Sequence, residues 1–493
     1  MLGLFSNKSA HPLAEAREAS RVLEEIASSE PLAAIEQAIA CVESVGGDDG
    51  FKPAQRLNLL LKLDEAAASG ARRLCRDYPL QSRSRAQEAR IWELGHGYSL
   101  QLVTSYLFCL TSYRCGEKDA EAIRPQLPLL YARLINAMGS NLKWDQFHYV
   151  SGDPDFWGTL GSIYLAAVEA GLAQTSLPLY ASAADTTIEA EYLKVLVFQS
   201  SSMDTLTPLQ MEIAERLIVH FLPFFALSRE ARPENSYWVD AAKPLPPTRM
   251  VKVPETSPTL HFFNGLRAVD AVVRTIGQLQ NEGRVPPGIN LGAQYDVNAV
   301  IPVLRHFEMC WSLKPPTRGT ARRRISSQLS VANGMDAIHR RLSGRARGAD
   351  VLETWRVEDV SMGGLGAEAS GNDWIRIGAL VAVLPEGGDN WLLGVVRRYV
   401  RSDPTRGAVG IETISRQPSA VLADAGGIMT EAILIDALEV GENARMVLPP
   451  DAFEEKVALI FRINEKNARL HPRKKLAAGP DYVIADFFVQ SFC

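Results

Sequence analysis

The stretch RVEDVSMGGLGAEA, from Arg356 to Ala369, shows how the second half of the chain is built. Apolar and polar residues alternate on both sides of a turn-forming cluster, which is typical of two β-strands joined by a short turn. Asp359 and Ser361 are two residues apart in an extended segment, so both side chains can reach one ligand. Gly363 and Gly364 lack a Cβ, which lets a ligand approach the backbone closely. On its own, D-x-S-x-x-G is a weak signal, and an ordinary turn is then the favoured interpretation.

Period-two sequence surrounds this hairpin throughout the region after Pro316. Turn signals such as EGGDN and SDPTRG separate the candidate strands, which are RRISSQLSVAN, ETWRVEDVS, LGAEAS, IGALVAVLP, NWLLGVVRRYVR and AVGIETIS. Their short, regular spacing favours an antiparallel barrel or sandwich over a parallel sheet. The segment Ile428–Cys493 adds strand candidates in EAILIDAL, KVALIFRIN and YVIADFFVQ. Its basic run HPRKK, His471–Lys475, is interpreted as a solvated loop.

The first half of the chain follows a helical pattern instead. Apolar residues recur at helical spacing in segments such as PLAAIEQAIACVESV and RLNLLLKLDEAAASGARRL. The sequence therefore predicts an α+β multidomain protein, in which an all-helical N-terminal region precedes a β-barrel and a C-terminal β extension. The predicted divisions are a helical domain at 1–243, a Pro-rich linker at 244–258, a helical segment at 259–313 that packs on the helical domain or the barrel, a barrel at 314–425 and a β-rich extension at 426–493.

Composition narrows the class of protein. A formal net charge of -5 argues against DNA or RNA binding by the whole surface. The cysteines form no C-x-x-C pair, and the histidines show no metal-ligand spacing, so no metal or other cofactor is expected. No apolar run is long enough to cross a membrane. The start of the chain lacks the apolar core of a signal peptide, so we expect a cytoplasmic protein.

A second cluster, PPTRGTARRRI, lies just before the first candidate strand. Its prolines disfavour a helix, which places the arginines on an extended loop. Arg318 and Arg322 form an R-x-x-x-R pair, followed by Arg323 and Arg324. The planar guanidinium fits phosphate oxygens and the O6/N7 edge of guanine, and it can also stack on a base.

Taken together, an R-x-x-x-R loop and a following D-x-S-x-x-G cluster within a small β-domain resemble the PilZ family of cyclic di-GMP receptors. The resemblance covers roughly residues 314–423. It implies a six-stranded antiparallel barrel whose arginine loop wraps a cyclic dinucleotide against the D-x-S-x-x-G surface. The residues that it assigns to cyclic di-GMP are Arg318, Arg322, Arg323, Asp359, Ser361, Gly363 and Gly364. It implies binding without turnover, because no nucleophile with a paired base is present.

Two features leave the arginine assignment open. Arg323 or Arg324 replaces Arg322 if the strand register differs. The segment NGMDAIHRRLSGRARG, which is predicted as a short helix or loop insertion, carries a second R-x-x-x-R pair at Arg341 and Arg345. That pair is disfavoured because it leaves no room for a first strand before Asp359.

The leading hypothesis is a bacterial cyclic di-GMP effector, not an enzyme, whose helical region binds a protein partner that the sequence does not identify. The alternative is an adaptor whose barrel binds no nucleotide. An RNA-binding module is disfavoured because no aromatic residue lies among the arginines between Arg318 and Gly348.

Overall fold

A computed structural model describes the chain at residues 11–47, 50–80, 84–289, 291–292, 294–314, 321–346, 351–370, 373–403, 405–463 and 466–492. The chain forms two compact units. The first comprises Met1–His148, Gly152–Met203 and Pro208–Pro316, and the second comprises Tyr149–Ser151, Asp204–Thr207 and Thr317–Cys493.

The first unit is mainly helical. Its helices are α1 (Ala16–Ser28), α2 (Pro31–Gly47), α3 (Pro53–Asp77), α4 (Arg85–Arg114), α5 (Leu127–Phe147), α6 (Phe156–Glu169), α7 (Ile188–Ser200), α8 (Pro208–Phe221), α9 (Leu266–Glu282) and α10 (Val297–Trp311). Local sequence explains several helix starts. Ser84 and Gln87 form a capping box at α4, while Thr187 and Asp296 cap α7 and α10 with their side-chain oxygens.

The first unit also contains two small sheets that the sequence did not predict. Strands β1 (Leu177–Pro178) and β2 (Asp185–Thr186) form a pair, and β3 (Leu227–Ser228), β4 (Tyr237–Asp240), β5 (Thr248–Arg249) and β6 (Leu260–Phe263) form a sheet in the order β3-β6-β4-β5. Strand β5 lies inside the stretch predicted as a Pro-rich linker. The Arg249 guanidinium donates to the Cys310 carbonyl at 2.7 Å, so this stretch is held within the first unit.

The second unit begins with a closed six-stranded antiparallel barrel, here called the first barrel. Its elements are β7 (Arg323–Asn333), helix α11 (Met335–Leu342), β8 (Glu353–Ser361), β9 (Gly364–Ser370), β10 (Leu380–Pro385), β11 (Leu392–Asp403) and β12 (Arg406–Ser415). Each strand buries the side chains of one face, for example Leu329 on β7, Trp355 on β8 and Leu365 on β9. This is the burial that an alternating sequence predicts for a barrel strand. The predicted β-barrel is confirmed, and the predicted short helix is α11.

The C-terminal segment forms another closed barrel, here called the second barrel. Its strands are β13 (Ser419–Ala425), β14 (Ile428–Leu434), β15 (Asn443–Leu448), β16 (Leu459–Ile463), β17 (Lys466–Ala478) and β18 (Val483–Phe492). The sequence-based division at 425 assigned β13 to the first barrel, whereas β13 pairs with β14 and β16. The run His471–Lys475, predicted as a loop, lies within β17 and pairs with β18.

The two barrels share one topology. Around the ring, the order is β7-β8-β9-β12-β11-β10 in the first barrel and β13-β14-β15-β18-β17-β16 in the second. In each barrel the first three strands are therefore followed by the sixth, fifth and fourth. The second unit is a tandem of two copies of one strand arrangement.

A common apolar core joins the two barrels. Met335 and Ile338 of α11 pack with Leu393 of β11 and Ile433 of β14, all of them buried. The Tyr482 hydroxyl of the second barrel donates to the Gly378 carbonyl of the first at 2.9 Å. Burying apolar side chains from both barrels in one cluster stabilises them as a single packed body.

Within the described ranges, no helix is both long enough and apolar enough to cross a membrane.

Candidate ligand site on the first barrel

A β-bulge sets the direction of the Asp359 side chain. The pairing of β8 with β9 shifts between Val357 and Asp359, which places Asp359 opposite Gly366 and Ser361 opposite Gly364. Strand neighbours of Gly366 are buried in the barrel, so Gly366 faces outward, and its partner Asp359 faces outward with it. The bulge therefore brings Asp359 and Ser361 to one outer face of the barrel.

The arginine segment meets this face at Arg322. One guanidinium nitrogen, Nη1, lies 3.0 Å from Oδ1 and 3.1 Å from Oδ2 of Asp359. Arg322 immediately precedes β7, and the next residues, Arg323 and Arg324, are exposed opposite Val360 and Asp359. Among the described arginines considered for this position, Arg322 is the one whose side chain contacts Asp359. Arg318 lies outside the described residues.

The other R-x-x-x-R pair lies elsewhere in the chain order. Strand β7 ends at Asn333, before Arg341, which lies in the last turn of α11. Arg341 and Arg345 therefore follow the first strand, whereas the clamp in the PilZ arrangement precedes it. The geometry favours the pair that includes Arg322.

The two glycines of the turn have different roles. A Cβ on Gly364 would lie 2.1 Å from the Ile411 carbonyl oxygen of β12, so only glycine lets these strands approach so closely. A Cβ on Gly363 would meet no atom within 4 Å. Gly363 thus leaves open space above the turn, and Gly364 holds the turn against the barrel.

Three hydrogen bonds hold the turn in place. The Ser361 hydroxyl donates to the Gly364 carbonyl at 3.1 Å, and the Thr413 amide donates to the Gly363 carbonyl at 3.0 Å. The Arg416 guanidinium donates to the Met362 carbonyl at 2.8 Å. Ser361 therefore closes the turn in addition to facing outward. Arg416 was missed from the sequence, since it follows β12 and matches no spacing.

Gly366 was also missed. A Cβ at this position would lie 3.1 Å from Oδ1 and 3.3 Å from Oδ2 of Asp359, which is tighter than ordinary contact. The carboxylate of Asp359 thus lies over the bare backbone of Gly366. The glycine lets Arg322 and Asp359 meet close to the barrel surface. The signal in the sequence was the alternation in Gly364-Leu365-Gly366, which places both glycines on one face.

The first unit contains a cavity of about 1090 Å³ with charged groups in its wall. One of them, Asp64, accepts hydrogen bonds from Tyr98 at 3.2 Å, Tyr180 at 3.3 Å, Tyr106 at 2.7 Å and Arg133 at 2.6 Å. These four donors occupy the acceptor sites of a carboxylate. Asp64 therefore connects four parts of the helical unit and has no capacity left for a ligand.

The other buried charges of the cavity are paired as well. Lys143 lies 2.5 Å from Glu212 and 3.3 Å from Glu215, and Lys194 lies 2.5 Å from Glu191. Burial opposes the charge on Lys143, but the two carboxylates hold the pKa of its amine above the ordinary value. Within this network the positive and negative side chains balance each other. The network therefore supports the packing of the helices and gives no indication of which ligand the cavity would hold.

Among the residues that the structure describes, no cluster of three or more His, Cys, Asp or Glu side chains could hold a metal ion.

A comparison with protein families finds a match in the helical region. Residues 17–233, less than half of the chain, match the family described as the cyclic-di-GMP receptor FimW, N-terminal domain. No curated protein sequence matches the chain. The family match lies before both barrels, so it is separate from the PilZ resemblance of residues 314–423. The helical region of this chain is thus similar to the N-terminal domain of a cyclic-di-GMP receptor.

Proposed function

We propose that the chain is a cyclic di-GMP-binding effector whose ligand site is the outer face of the first barrel. The observation that carries the proposal is the meeting of Arg322 with Asp359 beside Ser361 and Gly364. Two sequence clusters 37 residues apart come together on one surface. An ordinary turn between strands needs no such partner.

The chemistry of this face suits a cyclic diguanylate. Guanidinium groups bind phosphate oxygens and stack on purines. A carboxylate accepts from the N1 and N2 donors of guanine, and the open space above Gly363 leaves room for a ring close to the backbone. Asp359 must exchange Arg322 for the ligand on binding. Because both side chains are partly exposed, at 42% and 25%, their ion pair contributes at most about 1 kcal/mol, and the exchange costs little.

The family match supports the same ligand from another part of the chain. The matched family is described as a cyclic-di-GMP receptor, and the matched residues contain none of the barrel residues discussed above. The family match and the barrel motifs are therefore separate arguments for one nucleotide. An adaptor whose barrel binds no nucleotide is the alternative that the experiments below test.

We further propose that the helical unit binds a protein partner in the cytoplasm. The nucleotide would be bound by the chain but not chemically converted. Arg322 follows the boundary between the two units closely in the chain. A ligand bound at Arg322 would therefore act near this boundary in the chain and shift the population of partner-binding states. A pull-down with and without cyclic di-GMP tests this step. Partners that ignore the nucleotide would favour the adaptor.

Calorimetric titration tests the ligand. The unmodified chain is titrated with cyclic di-GMP, GTP and cyclic AMP, and we expect heat of binding with cyclic di-GMP. An Arg318→Ala/Arg322→Ala variant should lose that binding, whereas Arg356→Ala, which removes an exposed arginine paired with Glu368 on the same barrel, should keep it. Equal binding by the double variant would reject the arginine assignment. No binding by the unmodified chain would reject the function. Chromatography of the nucleotide after incubation should recover it intact.

A further inference from the structure

The linker between the two barrels contributes a cation to the candidate site. We propose that Arg416 contacts a phosphate of the bound dinucleotide, so that the site includes a residue that enters the second barrel. The inference rests on the proposed function and extends it to a residue outside both sequence clusters.

The first observation is the position of Arg416 in the repeated topology. It follows the last strand of the first barrel, which ends at Ser415, and it shortly precedes β13, the first strand of the second barrel. Arg322 has the equivalent place, directly before the first strand of the first barrel. Arg416 is therefore the arginine that leads into the second barrel, yet its guanidinium bonds to the turn of the first.

The second observation is that the backbone at this point is held between the barrels. Ser415 is buried, and its hydroxyl donates to the Ile435 carbonyl of the second barrel at 2.6 Å. Pro418 restricts the backbone on the other side of Arg416. The backbone on both sides of Arg416 is thus restricted before any ligand arrives.

The third observation is the contact with the turn. Arg416 Nη2 donates to the carbonyl of Met362, whose side chain is 74% exposed at the tip of the turn. The neighbouring Gly363 has open space where a Cβ would be. The guanidinium therefore lies beside Ser361 and Gly364, at the edge of the face proposed to receive the ligand.

The fourth observation concerns charge. Several exposed arginines of the first barrel have carboxylate partners, among them Arg356 with Glu368, Arg397 with Glu412 and Arg406 with Glu368. For Arg416, no carboxylate of the described part of the chain lies within 4.0 Å, and its one hydrogen bond to protein goes to a carbonyl. A guanidinium has five donors, so four remain for an anion.

These observations together favour a phosphodiester oxygen as the partner of Arg416. A phosphate at the edge of the turn would supply the negative charge that the protein does not, and the charge-assisted bonds would be stronger than the bond to the carbonyl. Because Arg416 belongs to the linker, an occupied site would then include a contact between the ligand and the chain segment that joins the barrels.

Two substitutions separate this role from simple support of the turn. Arg416→Gln keeps an N–H donor for the Met362 carbonyl but removes the charge, and Arg416→Lys keeps the charge without the planar fork. Binding of cyclic di-GMP is measured by calorimetry at several salt concentrations, with Arg356→Gln as the matched control. We expect Arg416→Gln to bind roughly tenfold more weakly and to show a smaller dependence on salt. Arg416→Lys should recover part of the affinity.

Each remaining outcome counts against the inference. An Arg416→Gln variant with unchanged affinity and salt dependence overturns it, while leaving the proposed function intact. Weaker binding with an unchanged salt dependence would show that Arg416 only holds the turn, which also overturns it. If the unmodified chain does not bind cyclic di-GMP, the proposed function fails, and this inference fails with it. Circular dichroism and the melting temperature of each variant establish that the barrels are folded.

Discussion

The two barrels have the same strand order, but the hairpin between the second and third strands differs between them. In the first barrel this hairpin carries Asp359 and Ser361 on the outer face and turns tightly between Ser361 and Gly364. In the second barrel the equivalent connection runs from Leu434 to Asn443 and contains Asp436, Leu438 and Gly441. Both hairpins have aspartate and glycine at one spacing, D-x-S-x-x-G in the first and D-x-L-x-x-G in the second.

The difference lies in what surrounds the aspartate. Arg445, on the strand that follows Asp436, donates to its carboxylate from Nε at 2.8 Å, from Nη2 at 2.7 Å and from the backbone amide at 2.9 Å. At the spacing of Ser361, the second hairpin has the apolar residue Leu438. Asp436 accepts three hydrogen bonds from Arg445, two from the guanidinium and one from the backbone amide, whereas Asp359 meets one guanidinium nitrogen of Arg322. The same strand arrangement thus binds the two aspartates to different degrees, which agrees with the proposal of a ligand face on the first barrel.

The largest expected effect concerns the tight turn. Gly364→Ala places a Cβ against the Ile411 carbonyl, so β9 and β12 must move apart, and we expect a loss of about 3 kcal/mol in the free energy of unfolding. Gly363→Ala, the neighbouring position with open space, should change it by less than about 0.5 kcal/mol. Denaturant unfolding measures both variants. Similar losses in the two would mean that the close approach of the strands does not constrain the hairpin.

The comparison also predicts which aspartate binds nucleotide. Asp359→Asn should weaken cyclic di-GMP binding at least about tenfold, because the amide carries no charge and offers one acceptor oxygen where the carboxylate offers two. Asp436→Asn, the same change in the second barrel, should leave affinity and stoichiometry unchanged. Calorimetry of the two variants beside the unmodified chain makes the test. A change in stoichiometry on Asp436→Asn would assign a ligand to the second barrel as well.

A smaller effect is expected at Gly366. Gly366→Ala brings a methyl group to 3.1 Å from Oδ1 of Asp359, so the carboxylate must shift by a few tenths of an ångström. Affinity for cyclic di-GMP should fall by roughly threefold to tenfold while the barrel stays folded. The variant is compared with Gly363→Ala in the same titration. Unchanged affinity in Gly366→Ala would mean that the position of the Asp359 carboxylate is not critical.

The smallest effect is a difference in acid sensitivity. Hydrogen bonds from Arg445 hold the pKa of Asp436 below its ordinary value. A carboxyl whose pKa is lowered on folding stabilises the fold above its unfolded pKa and loses that contribution as the pH falls. The loss of unfolding free energy between about pH 6 and about pH 3 should therefore be smaller in Asp436→Asn, by less than about 1 kcal/mol because the pair is partly exposed. An equal loss in both proteins would contradict the assignment.

The sequence predicted the first barrel better than the second, for a physical reason. Strands β7 and β8 have a clear period of two, and their predicted limits agree with those observed. In β17 the inner positions include Ala468 and Leu470, while the run His471–Lys475 combines basic residues with a proline. Because this run has consecutive basic residues, it shows no alternation of apolar and polar side chains. The sequence therefore predicted a loop instead of a strand.

The candidate site was predictable only in part. Residues within one cluster, such as Asp359, Ser361 and Gly364, follow from spacing along an extended strand. The bulge after Val357 reverses which residues of that strand face outward. No residue type in the sequence predicts this bulge. Arg416 reaches the turn because of contacts between the barrels, which no local pattern encodes.

The common core of the two barrels limits which parts of the chain can be lost in evolution. Leu393 and Ile433 are covered by one cluster that both copies and α11 build together. A chain that lost the second barrel would expose this apolar surface, with the risk of aggregation that follows. The second barrel therefore covers an apolar surface of the first, and this role does not depend on the chemistry of its hairpin. Selection on solubility alone would retain it.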